Sequence, residues 1–326
     1  MQIMNIFNIR TQHEFEQKCL EVFRFQYVNN KIYQRYCNLI GACLSTVKKS
    51  TDIPFLPIEF FKKSNVLSST EAIQKTFSSS GTTGELTSKH YITNIDIYEK
   101  SYLKCFNHFY GNITDYCVLA LLPAYLEREG SSLIYMVDDL IKRSKHSKSG
   151  FYLNNLDELA NTLNDLENQG QKTLLIGVSF ALLDLVERKQ FQLKHTTVME
   201  TGGMKGRRKE MIRAELHQIL QNGFNVPYIH SEYGMTELLS QAYSQENGLF
   251  KCPSWMNIQL RNTENPLESI SQTGKTGGIN VIDLANINSC SFIATQDLGK
   301  LHKNNTFEIL GRFDNSDIRG CNLMVM

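Results

Sequence analysis

The 326-residue chain has little of several things, and each shortage removes a class of protein. It has no excess of charge: 34 Lys and Arg against 33 Asp and Glu leave a formal net charge of +1, so electrostatics gives no reason to expect a nucleic acid or an acidic membrane surface as partner. It has no long apolar run. The longest, such as Cys117 to Leu122, fall far short of the ~20 residues of a spanning helix, and no apolar leader opens the chain, so a cytoplasmic protein without a membrane span is expected. It has eight cysteines (Cys19, Cys37, Cys43, Cys105, Cys117, Cys252, Cys290, Cys321) but no Cys-x-x-Cys and no Cys/His cluster at zinc spacing, which argues for reduced thiols. Internal repeats and long low-complexity tracts are absent too. What is there, 41% apolar and 21% charged residues, is ordinary for a globular chain with room for about two domains.

From Thr11 to about Leu44 apolar residues recur at helical spacing (Phe15, Cys19, Val22, Phe23; Tyr33, Tyr36, Cys37, Ile40), which predicts two helices. Two prolines within Ile53 to Phe61 predict an extended covering segment. Cys117 to Leu122 is a continuous apolar run of the kind a buried parallel strand needs. Alternation then continues: helix at Leu156 to Leu166, strand at Thr173 to Val178, helix at Phe180 to Arg188, strand at Thr196 to Glu200, helix at Arg207 to Leu220. Alternating strands and helices predict a parallel α/β sheet with ligands at the carboxyl ends of its strands. After Leu249 short strands with Gly, Asn and Thr turns predict a smaller β-rich subdomain. The basic run Lys142 to Lys148 reads as a solvated loop.

Thr76-Phe77-Ser78-Ser79-Ser80-Gly81-Thr82-Thr83-Gly84 offers many hydroxyl and N–H donors and little bulk, as a polyphosphate requires. The Walker pattern does not fit, because Gly81 leads into Thr-Thr-Gly-Glu-Leu. Read alone, the run is equally a polar linker. Four further stretches follow it in order. Thr201-Gly202-Gly203-Met204-Lys205 leaves a predicted strand with glycines that admit a flat base. His230-Ser231-Glu232-Tyr233-Gly234-Met235-Thr236-Glu237 joins a ring, a glycine, a hydroxyl and a carboxylate. Thr295-Gln296-Asp297-Leu298-Gly299 and Gly311-Arg312-Phe313-Asp314-Asn315 offer a carboxylate and a guanidinium at turns.

This series resembles the adenylate-forming (acyl-activating) enzymes, among them the acyl-CoA synthetases, and most of all their acyl-protein synthetase branch from the bacterial bioluminescence fatty-acid reductase. The branch likeness is carried by Phe55 to Phe61, Leu122 to Arg128 and Arg319-Gly320-Cys321. The resemblance implies an α/β large domain with parallel sheets flanked by helices over residues 1–310, a β-rich subdomain over about 249–310, and a short tail over 311–326 in place of the mobile C-terminal lid domain. It implies ATP and Mg²⁺ as cofactors. Ser79, Ser80, Gly81, Thr82, Thr83 and Gly84 would hold phosphates; Gly202, Gly203, Tyr233 and Gly234 would border adenine. Thr236 would contact phosphate, Glu237 would bind Mg²⁺, and Asp297 and Arg312 would take the ribose hydroxyls. Tyr125, Ser179, Met204 and His230 would line the acid pocket. Cys321 would accept the acyl group from a carboxylic, fatty-type acid and deliver it to a partner protein or reductase.

The chain departs from the family in having no lysine between Gly84 and Lys89. Other readings compete with self-acylation. One is an acid–CoA or acid–carrier ligase using an external thiol. Another is a remnant that binds nucleotide without catalysis. A third is a serine hydrolase, since Gly177-Val178-Ser179-Phe180-Ala181 is one glycine short of a nucleophile elbow.

Overall fold

The computed structural model describes residues 5–79, 86–122, 130–202 and 211–313. In chain order its elements are α1 (Gln12–Asn29), α2 (Lys31–Leu39), β1 (Leu56–Pro57), α3 (Phe60–Lys63), β2 (Lys75–Ser78), β3 (Lys89–Ile92), α4 (Ile95–Tyr110), β4 (Cys117–Leu121), α5 (Ser132–Ser144), β5 (Gly150–Phe151), α6 (Leu156–Asn168), β6 (Thr173–Gly177), α7 (Ser179–Arg188), β7 (Thr196–Thr201), α8 (Arg213–Phe224), β8 (His230–Tyr233), β9 (Ala242–Ser244), β10 (Phe250–Lys251), β11 (Met256–Arg261), β12 (Ser269–Ile270), β13 (Thr276–Asp283), β14 (Phe292–Leu301) and β15 (Phe307–Arg312). They fall into two compact units. The first takes residues 1–101, 236–240 and 251–326; the second takes 102–235 and 241–250.

The second unit is built on the apolar runs. Every residue of β4 and β6 is buried, which explains why both read as unbroken hydrophobic stretches. Its strands lie in the order β5-β4-β6-β7-β8, all parallel, with β9 antiparallel on β8. Helices α7 and α8 pack so closely that a Cβ on Gly223 would lie 2.5 Å from Val186 Cβ. The last predicted helix is displaced: α8 runs to Phe224, four residues past the expected end, and stops where Asn225 takes a left-handed φ of 52°. The basic run is also more ordered than expected. Lys142 and Arg143 sit in the last turn of α5, where cations suit the helix dipole, and pair with Asp138 and Asp139 one turn back.

The first unit opens with α1, started by a capping box between Thr11 and Glu14, and α2, whose N-cap Asn30 accepts from the Tyr33 amide. Its sheet runs β12-β11-β13-β14-β15, antiparallel throughout, with β1 added parallel to β14; β2 and β3 form a separate antiparallel pair. The proline-marked segment is already extended at Ile53, pairs as a strand over Leu56–Pro57, then turns into α3. Buried amide side chains tie α1 and the N-cap of α2 to residues 286–289. Gln26 Nε2 donates to Asn286 O (2.9 Å) and Ile287 O (3.0 Å), and Asn30 Nδ2 donates to Ser289 O (2.9 Å). Among the described residues no helix is long and apolar enough to cross a membrane, and all seven described cysteines are free thiols.

Candidate active site

The first unit holds Ser79, Thr236, Glu237, Asp297 and Arg312 of the expected site. Ser79 directly follows the hairpin strand β2, and its backbone N–H donates to Ser88 O while its Oγ accepts from the Ser88 amide at 2.9 Å. Ser88 in turn favours the ionised form of the Glu237 carboxyl. Glu237 is 5% exposed. Burial pushes its carboxyl above the usual range, Ser88 and Arg312 pull it down, and Asp297 adds to the rise. One corner thus joins the loop-flanking serines to Glu237 and to the field of the Asp297–Arg312 pair. In that pair Arg312 Nε lies 3.3 Å from Asp297 Oδ1.

The backbone of this motif is held as firmly as its side chain. Thr236 O is 2.9 Å from His90 Nδ1, Glu237 O accepts from Asn286 Nδ2 at 2.7 Å, and Asp283 accepts from the amides of Leu239 (2.8 Å) and Ser240 (2.9 Å) and from the Ser240 hydroxyl (2.6 Å). Trp255 Nε1 donates to Ser240 Oγ at 2.9 Å. Sequence reasoning missed Ser88, His90, Asp283 and Asn286, because each acts through a contact with residues distant in the chain that no local pattern announces.

The second unit holds Ser179, Gly202, His230, Tyr233 and Gly234. Gly202 follows β7 at its carboxyl end with φ +72°, a conformation that glycine adopts without strain. Ser179 opens α7 and donates to Gly202 O at 2.7 Å, so its hydroxyl serves a backbone carbonyl rather than an imidazole, unlike the activated serine of a hydrolase. Tyr233 is 8% exposed, its ring edge-on to Phe250 at 6.1 Å. His230 lies 3.2 Å from the Tyr110 hydroxyl, and burial, with His217 nearby, lowers its pKa to about 4. Glu232, which accepts from Thr201 Oγ1 at 2.6 Å, is raised by burial to about 7. A Cβ on Gly234 would meet Glu232 Oε1 at 2.5 Å, so the motif glycine leaves room for that carboxyl. Ser80, Gly81, Thr82, Thr83, Gly84, Tyr125, Gly203, Met204 and Cys321 lie outside the described residues.

Among the described residues no group of three or more His, Cys, Asp and Glu side chains could cage a metal. Glu237 offers one carboxylate, the donor set Mg²⁺ accepts when phosphate oxygens and water supply the rest.

This architecture is the fold of the large domain of adenylate-forming enzymes. No protein-family model matches the chain, and no curated protein matches its sequence. Solved structures share its fold. 2-Hydroxyisobutyryl-CoA ligase, captured in the postadenylation state with 2-HIB-AMP, superposes with a TM-score of 0.67 at 10% identity over 94% of this chain and 70% of its own. ATP-bound MatB from Rhodopseudomonas palustris gives 0.54 at 16% identity, over 75% of this chain and 49% of that one. O-succinylbenzoate coenzyme A synthetase from Bacillus subtilis with AMP gives 0.52 at 17% identity, over 76% and 51%. The chain spans about half the length of the MatB chains it matches.

Proposed function

We propose that the protein is an ATP-dependent carboxylate-activating enzyme. The observation that carries this reading is Glu237: a buried carboxyl whose backbone is held by Asn286, influenced by Ser88 beside the serine- and glycine-rich stretch and in the field of Arg312 and Asp297. A substrate carboxylate oxygen attacks the α-phosphorus of ATP, the bond to the bridging oxygen breaks, and pyrophosphate leaves. No protein nucleophile is needed; positioning and neutralisation of phosphate charge do the work. Glu237 is assigned to hold Mg²⁺, which when bound neutralises phosphate charge, and Thr236 to contact phosphate. Asp297 and Arg312 are assigned to the ribose, Ser79 through Gly84 to the phosphates, and Gly202, Gly203, Tyr233 and Gly234 to the adenine. Tyr125, Ser179, Met204 and His230 are assigned to the acid.

We further propose that the acid is of the fatty type and that the Cys321 thiolate takes the acyl group, releasing AMP, for delivery to a protein partner in the cytoplasm. Residues 1–310 are the activating domain in this proposal, with 249–310 as its β-rich part and 311–326 as the segment carrying the thiol. A second reading, transfer to an external thiol, is favoured by the likeness to structures named as CoA ligases. The test is ATP–pyrophosphate exchange across a panel of carboxylic acids. Exchange that depends on one class of acid supports the reading, and silence with every acid alongside intact nucleotide binding rejects it.

A further inference from the structure

Three side chains close a ring beneath the Thr236-Glu237 segment, all within the first unit. A carbonyl oxygen can only accept, so the 2.9 Å contact of His90 Nδ1 with Thr236 O requires the proton on Nδ1. In the neutral imidazole Nε2 is then an acceptor, and the Ser289 hydroxyl, 2.8 Å away, donates to it. Ser289 N–H reaches back to Asn286 O at 3.0 Å, and Asn286 Nδ2 donates to Glu237 O at 2.7 Å. The ring therefore fastens both carbonyls of the Thr-Glu pair from one short stretch, residues 286–289. That stretch is itself held by Gln26 of α1 and by Asn30, the N-cap of α2. His90 is 1% exposed and has the edge of Phe61 against it at 5.6 Å, so its ring has little freedom to turn.

We propose that His90, as the neutral Nδ1–H tautomer, is a positioning residue that fixes the direction of Thr236 and Glu237. The chemical role of those two residues rests on the function proposed above; the fixing of their backbone does not. His90 touches no reacting atom in this scheme. It acts by holding the Thr236 carbonyl, so that the hydroxyl of Thr236 and the carboxylate of Glu237 leave the chain at set angles. A side chain that keeps a donor at the Nδ1 position should preserve the effect. Asparagine does this, because its Nδ2 occupies that position; phenylalanine fills the same space and donates nothing.

The experiment compares the full-length parent, His90→Asn and His90→Phe in two measurements. The first is amide hydrogen exchange of peptides covering residues 235–241. His90→Phe should raise exchange there at least tenfold while peptides from the parallel sheet stay unchanged, and His90→Asn should remain within about threefold of the parent. The second is acid-dependent ATP–pyrophosphate exchange with titrated MgCl₂. His90→Phe should lower kcat at least tenfold and raise the Mg²⁺ requirement, and His90→Asn should restore most of both. Unchanged protection in His90→Phe, or equal loss in the two variants, overturns the proposal. If His90→Phe does not fold, Ser289→Ala takes its place; it removes the donor to Nε2, and unchanged protection in that variant likewise overturns it. Should the parent show no exchange with any acid while the protection pattern holds, the enzymatic reading fails and the positioning role stands. Should the parent exchange normally and protection not respond to His90, the positioning role fails alone.

Discussion

Asp297 and Arg312 face one another across the β14–β15 ladder, paired in register and joined by an ion contact of 3.3 Å. The two are unequal: the guanidinium side chain is 79% exposed and the carboxylate 8%. A pair with one member so open to water adds at most about 1 kcal/mol to stability, and under the proposed function its exposed end is assigned to the nucleotide. Arg312→Gln should leave the melting temperature nearly unchanged and weaken ATP binding by about tenfold, or ~1.4 kcal/mol, by calorimetry. A large loss of stability with unaltered affinity would assign the pair to the fold instead.

Glu237→Gln separates function from stability. Activation should fall at least ~tenfold, about 1.4 kcal/mol of transition-state free energy. Because burial raises the folded-state pKa, the native carboxyl costs stability that grows as the pH rises above the unfolded value. The neutral amide lacks that cost, so the variant should be at least as resistant to urea as the parent at pH 8. Undiminished exchange at saturating Mg²⁺ would remove Glu237 from the mechanism.

His230 gives a pH signature. Its folded pKa of about 4 lies below the ordinary value of 6.5, so between these limits the unfolded chain binds a proton that the native protein refuses. Stability is therefore full above pH 6.5 and falls as the pH drops toward 4, by up to about 1.4 kcal/mol per pH unit for this group. His230→Gln should flatten the dependence of urea midpoints on pH by close to one proton within that window. Identical slopes for parent and variant would contradict the burial argument.

Thiol reactivity should be uneven. Hydrogen bonds from Ser45, then Thr46, lower Cys43 to about 7, whereas burial pushes the thiols of Cys19, Cys252 and Cys290 well up. Iodoacetamide at pH 7.5 should label Cys43 at least ~tenfold faster than those three, read by peptide mass spectrometry. This bears on acyl transfer, since Cys43 is a second nucleophile to be excluded. In a Cys43→Ser background, Cys321→Ser should still make acyl-adenylate from labelled acid and ATP but no hydroxylamine-labile acyl-protein. Persistent labelling would move the acceptor elsewhere.

The parallel sheet was legible in the sequence because its strands are buried on both faces: runs such as Cys117 to Leu121 leave no doubt about period or environment. Legibility failed where a long-range contact decides. The extended segment at Ile53 to Phe61 is cut short: Leu56 and Pro57 pair with Ile293 and Ala294, Ile58 N–H donates to Ala294 O, and the chain then turns into α3. Helix α8 outlasts its expected end because Gly223 and Phe224 pack inside, and the helix stops only at the left-handed Asn225. At the site, Glu237, Asp297 and Arg312 were visible as motifs, yet Ser88, which favours the ionised carboxyl, and the backbone holders His90, Asn286 and Asp283 were not. The three backbone holders act through contacts across 44 to 146 residues of chain.

The bonds from Gln26 to residues 286 and 287 bear on the order in which the protein can be made. Synthesis runs from the amino end, so α1 leaves the ribosome roughly 260 residues before the carbonyls that satisfy its buried amide. Strands β4 through β8, by contrast, all lie within one continuous stretch of the second unit, from 102 to 235, and have every parallel neighbour in hand once that stretch has emerged. The buried amide of Gln26 therefore meets its partners only after the whole stretch that carries the parallel sheet has been made.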